Sequence, residues 1–208
     1  LEMGEYVVRA SSDRFAPAQS RTALEGSAGE VRLELEREAS LTLVVREASG
    51  RPAGSVVVLG LLGGQVTDPI SVACAAGRCA VDDLAPGPWT LLVRGDGAAL
   101  VSARVPSEEA EVALRPVGRL VVSADPAPSG ELWRARVVDA ATGLALPVHP
   151  WGNPGRGTWI PVPAGGLTLA VPAGAWRVEG AVPANGTRAT GAAQVPPGGS
   201  AEVRLEAR

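Results

Sequence analysis

Hydrophobic residues recur at every second position along much of the chain. Leu41, Leu43 and Val45 alternate with polar or smaller residues across 40–48. A two-residue period puts all three on one face of an extended strand. Residues 55–62 form a short apolar run, long enough for a buried strand and too short for a helix. Segments 120–124, 132–138, 159–162 and 167–171 have the same character. Gly and Pro punctuate the chain every ~8–12 residues, the rhythm of a β-sandwich rather than a helical fold. One stretch, 98–103, is also compatible with a helix.

One phrase occurs three times, at 1–10, 84–93 and 171–180. In each copy an aliphatic residue (Leu1, Leu84, Val171) stands three positions before a glycine (Gly4, Gly87, Gly174). That glycine stands two before an aromatic (Tyr6, Trp89, Trp176), and a strand-like run follows. Each copy also closes alike: Gly-Glu-Val-Arg-Leu-Glu-Leu at 29–35, Ala-Glu-Val-Ala-Leu-Arg at 110–115 and Ala-Glu-Val-Arg-Leu-Glu at 201–206. Val31, Leu33 and Leu35 lie two apart and predict a strand with one apolar face. The glycine permits a tight turn into the strand, and the three aromatics read as equivalent core positions.

Composition narrows the class. The chain has 208 residues, of which 46% are hydrophobic, too apolar for a mainly disordered protein. A net charge of −3 gives no footprint for nucleic acid or an anionic membrane surface. No apolar run approaches the ~20 residues of a membrane-spanning helix, so no membrane insertion is expected. All 19 basic residues are Arg, which excludes lysine nucleophiles, Schiff bases and lysine isopeptide cross-links. With the Ala, Gly and Pro bias, this reads as codon pressure in a GC-rich genome.

A strand, then Ser49-Gly50-Arg-Pro52-Ala-Gly54, another strand, Ala75-Ala-Gly77-Arg and Leu84-Ala-Pro-Gly87-Pro-Trp89 together resemble the carboxypeptidase regulatory-like domain. The family's Gly-x-Pro-x-x-Gly motif is one residue short here. The resemblance spans 38–116 and weakens over 117–208, where Pro128-Ser-Gly130 and Ala173-Gly174-Ala-Trp176 survive. It implies an all-β fold of tandem seven-strand transthyretin-like (prealbumin-like, Ig-like) β-sandwiches. The expected organisation is the C-terminal half of a repeat at 1–37, a carboxypeptidase regulatory-like sandwich at 38–116 and a divergent sandwich of the same type at 117–208. A half sandwich leaves edges open. Either the chain is a piece of a longer protein, or another chain or domain completes the first unit by adding strands. Head-to-tail completion of that kind gives a filament.

Cys74 and Cys79 flank a four-residue turn. If the flanks form a hairpin, the two can be bridged, and free buried thiols are the alternative. Two thiols alone cannot fill a tetrahedral metal shell. A bridge points outside the reducing cytosol, to an extracellular, cell-surface or periplasmic location.

His149, the single histidine, reads as a surface-loop residue, because no nucleophile or carboxylate stands at a triad spacing. Asp68, Asp82 and Asp83 read as turn carboxylates, with no calcium-loop pattern. Trp151 and Trp159 flank a Gly/Pro-rich loop containing Asn153 and Arg156. They read as packing at a core rim, as a protein interface, or as an aromatic platform for a sugar ring. Asn185-Gly-Thr187 fits a glycosylation pattern. No catalytic residue, metal site or cofactor is expected. The expected function is a non-catalytic extracellular structural or adhesive module of a bacterial surface protein, assembled with other copies or neighbouring domains, including as a filament. The alternative is a carbohydrate-binding accessory region of a secreted enzyme.

Overall fold

The computed structural model describes residues 4–12, 15–24, 30–35, 37–63, 65–125, 132–148, 158–183 and 186–206. Its regular elements are strands: β1 (Gly4–Ser12), β2 (Phe15–Leu24), β3 (Ala39–Arg46), β4 (Ser55–Leu62), β5 (Gln65–Val66), β6 (Ile70–Ala75), β7 (Arg78–Leu84), β8 (Gly87–Arg94) and β9 (Ala98–Val105). There follow β10 (Ser107–Ala113), β11 (Val117–Ala124), β12 (Arg134–Asp139), β13 (Trp159–Pro161), β14 (Leu167–Pro172), β15 (Gly174–Ala181), β16 (Arg188–Val195) and β17 (Ser200–Leu205). The protein is all-β, as the hydrophobic pattern predicts.

The pairings recur along the chain. β3 lies between antiparallel β7 and parallel β10; β11 lies between antiparallel β14 and parallel β17. On the facing layer β4 pairs β8, which pairs β9; β12 pairs β15, which pairs β16. β6 turns the corner in the earlier set, pairing β4 through 70–73 and β7 through Cys74 and Ala75. The β1–β2 hairpin repeats the β8–β9 and β15–β16 geometry. Its phrase glycine, Gly4, lies opposite Leu24, as Gly87 lies opposite Val105 and Gly174 opposite Val195.

The repeated phrase has a physical basis. Gly87 and Gly174 adopt φ of 141° and 147°, a region that a side chain disfavours. The turn they make drops Trp89 and Trp176 into the interior. Each indole Nε1–H donates to the carbonyl four residues earlier, on Ala85 at 2.8 Å and on Pro172 at 2.9 Å. Both indoles thus bury apolar area without stranding a donor. Tyr6, the third member, is half-buried.

Two hydrophobic cores result. Leu41, Leu43, Val45, Val58, Trp89 and Leu91 belong to one; Leu120, Val122, Val137, Trp176, Val178 and Leu205 belong to the other. The layer β4–β8–β9 stands between them. Ala99 and Ala103 of β9 face the first core, while Ala98 and Leu100, with Leu92 of β8, join the second. A strand covered on both faces needs no polar alternation. That is why 98–103 is compatible with a helix on its sequence and is nevertheless a strand.

Residues 30–35 differ from expectation. They carry no strand ladder, although exposure alternates along them: Val31, Leu33 and Leu35 are half-buried while Glu30, Arg32 and Glu34 are exposed. Their counterparts β10 and β17 each pair with the first strand of their set. Among the described residues, 30–35 has no such partner, so the apolar face forms without the hydrogen bonds. The cysteine turn is also tighter than four residues. Ala75 and Arg78 pair within the ladder, leaving Ala76 and Gly77 as a two-residue turn.

Candidate functional site

The short β13 presents Trp159 to solvent at 36% exposure. Register places it directly across from Arg136, which lies across from Glu179, which lies across from Thr190. Arg136 Nη1 donates to Glu179 Oε2 at 3.2 Å, and Arg177 also bridges to Glu179, at 3.0 Å. The outer face of this sheet therefore carries an indole, a guanidinium and a carboxylate in one row. Of the aromatic-loop residues singled out in the sequence, this is the one the structure places. Trp151, Asn153 and Arg156 lie outside the described residues, as do His149 and Asn185. Arg136 and Glu179 were not singled out; the polar positions within Trp133-Arg-Ala-Arg-Val were the available signal.

Cys74 and Cys79 form a disulfide across the β6–β7 ladder, with a Cα–Cα distance of 4.3 Å. Ala76 and Gly77 have φ of 49° and 82°, the two positive values of a type I′ hairpin turn. A Cβ on Gly77 would lie 2.8 Å from the Val45 carbonyl oxygen, and the Val45 N–H donates to the Gly77 carbonyl at 2.7 Å. The bridge thus closes the β6–β7 hairpin, and the Val45–Gly77 hydrogen bond holds its turn against β3.

The passage from one core to the other takes five residues. Leu114 is buried in the first and Leu120 in the second. Between them Arg115 exchanges two backbone hydrogen bonds with Ala98, each 2.9 Å, and Ala173 donates to the Pro116 carbonyl at 2.7 Å. The Arg115 side chain pairs with Asp139. Beside this joint lies a cleft of about 220 Å³ walled by Leu59, Leu92, Leu146, Val148 and Leu169. Arg94 lies in its wall and donates from Nη2 to the Ala170 carbonyl at 3.2 Å. Burial there pushes the Arg94 guanidinium below its ordinary pKa.

Among the described residues no group of three or more His, Cys, Asp or Glu side chains gathers as a metal site. Asp82 and Asp83 are exposed in the strand that leads to the second phrase. No helix of the described structure is long and apolar enough to cross a membrane.

No protein-family model matches the chain. No curated protein matches it in sequence. Among solved structures, the Bacillus anthracis TIE protein is similar at 11% identity and a TM-score of 0.32, over 92% of this chain and 38% of that one. A leucine-rich repeat protein from Bacteroides thetaiotaomicron gives 10% identity and a TM-score of 0.37, over 82% and 27%. BcpA, the major pilin subunit of Bacillus cereus, gives 10% and 0.31, over 100% and 86%. The chain thus spans well under half the length of the first two. Scores this low carry no argument about this chain's fold or role.

Proposed function

We propose that this chain is a stiff structural array of β-sandwich repeats from a bacterial surface protein. In this reading 38–116 and 117–208 are two transthyretin-like units of carboxypeptidase regulatory-like type, and 1–37 is the closing half of another. Its partners are further repeats, in neighbouring domains or in other copies of the chain, and its role is spacing and assembly rather than catalysis. The observation that carries the reading is the joint. Leu92, Ala98 and Leu100 of one set complete the core of the next, and backbone hydrogen bonds stitch 114–118 to both. A seam made this way transmits force and orientation, unlike a flexible linker. The disulfide supports a location outside the reducing cytosol.

The test is NMR relaxation with small-angle scattering on the whole chain. The reading expects both sets to report one correlation time and one fixed separation. Two independently tumbling bodies would overturn it.

The exposed Trp159 beside the Arg136–Glu179 pair favours a second reading, a carbohydrate-binding accessory region. Stacking of a sugar ring on Trp159 would then be lost in Trp159→Ala on a glycan array, and no binding to any glycan would remove this reading.

A further inference from the structure

In both complete sets the closing strand carries Glu-Val-x-Leu, at 111–114 and at 202–205. Each pairs in parallel with the first strand of its set, in the same register. Val112 lies opposite Val45, and Val203 lies opposite Val122. Each opposing valine ends the same tripeptide, Leu43-Val-Val45 in β3 and Leu120-Val-Val122 in β11. Under that cover Val112, Leu114 and Val203 are 4% exposed and Leu205 is 0% exposed.

Residues 30–33 carry the same sequence pattern, Glu-Val-Arg-Leu, and the same alternation of exposure, yet Val31 and Leu33 are only half-buried. The β1–β2 hairpin shows a matching gap. β8 and β15 each have a second antiparallel neighbour, β4 and β12, whereas β1 pairs only with β2 among the described residues. Among the described residues, the unpaired edges are the same in kind on both layers.

We propose that residues 30–35 are the acceptor for a parallel β-strand of the β3/β11 type, supplied from outside the described residues. The incoming strand carries Leu-Val-Val, with its last valine opposite Val31. It brings the row of backbone donors and acceptors that the segment does not find among the described residues, and covers the apolar face of Val31 and Leu33. The occupant is argued by continuity: the chain twice covers this surface with a strand of that sequence and direction. The proposal rests on the repeat-array reading and names its partner.

The test uses the whole chain and a synthetic peptide with the sequence of residues 38–48, followed by amide hydrogen exchange. The peptide is expected to slow exchange across 30–35 by at least about tenfold, equivalent to about 1.4 kcal/mol of protection. A peptide carrying Leu43→Asp and Val45→Asp is expected to have no effect, as is the native peptide on a Val31→Asp chain. A nitroxide on the peptide's amino terminus is expected to broaden Glu30 before Leu35. Absence of binding, antiparallel binding, binding at another edge, or protection of 30–35 before peptide is added would each overturn the proposal. The same exchange data report on the parent reading separately. Strong protection along β3–β10 and β11–β17 with no peptide effect sinks this inference alone, whereas absent protection in those ladders sinks both.

Discussion

The guanidinium of Arg115, at the end of one sandwich set, donates to the carboxylate of Asp139, buried in the next. The other carboxylate oxygen accepts the Ala141 N–H at 2.9 Å and lies 3.4 Å from the Thr142 nitrogen. One side chain therefore caps its own turn and anchors the joint. Burying a carboxylate costs several kcal/mol unless it is paired and hydrogen-bonded, and here the pairing partner comes from across the seam. Arg115 Nη1 also occupies the space above Gly174, where an added Cβ would meet it at 2.9 Å. The glycine of the repeated phrase thus serves both the turn and the joint.

Replacing Arg115 by alanine leaves the Asp139 carboxylate with backbone donors alone. Arg115 is partly exposed, which moderates the loss, and we expect destabilisation of about 1–3 kcal/mol in urea unfolding. Asp139→Ala also removes the turn cap. The double variant is expected to lose less than the sum of the singles, because the second change removes a charge already stranded by the first. Strict additivity would mean that the two side chains do not interact.

The hairpin at Ala76–Gly77 makes two opposite predictions. Ala76 sits at positive φ, where a Cβ costs about 1–2 kcal/mol and asparagine is tolerated. Ala76→Asn should therefore raise stability by roughly half a kcal/mol. Gly77→Ala should lower it by more than about 1 kcal/mol, since the new methyl meets the Val45 carbonyl as well as an unfavourable φ. Thermal unfolding of the oxidised protein reads both. Equal effects in the two variants would contradict the turn geometry.

Removing the bridge tests a different term. Cys74 and Cys79 are five positions apart, and closing so short a loop contributes about 2 kcal/mol in the chain-entropy account. Cys74→Ala with Cys79→Ala should lower stability by about that amount. Cys79 is a core residue, so a larger loss would report packing as well as the bridge.

The strands were legible where one face meets a core and the other meets water. Leu41, Leu43 and Val45 show this, and all three are buried. They were ambiguous at 98–103, because β9 faces two cores and its apolar residues do not alternate. The cysteine pair was readable because its partners are local. The row of Trp159, Arg136 and Glu179 was not, since register alone brings together positions distant in sequence. Arg115 and Asp139 are likewise 24 residues apart and meet only once the joint is built. Residues 30–35 show the converse: a strand pattern is plain in the letters, yet among the described residues the segment carries no ladder.

The seam itself gives the last prediction. Leu92 and Leu100 point away from their own core into the second one, and both are buried there. Truncating such side chains to alanine costs about 2–5 kcal/mol each in a well-packed interior. Here the loss should fall on the coupling between the two sets, because β8 keeps Trp89, Leu91 and Val93 in the first core and β9 keeps Ala99, Ala103 and Val105 there. Leu92→Ala with Leu100→Ala should therefore split a single unfolding transition into two, the later set melting first as its core loses a wall. If calorimetry instead shows one transition displaced to lower temperature, the two cores unfold as a unit and the seam is not the weaker contact.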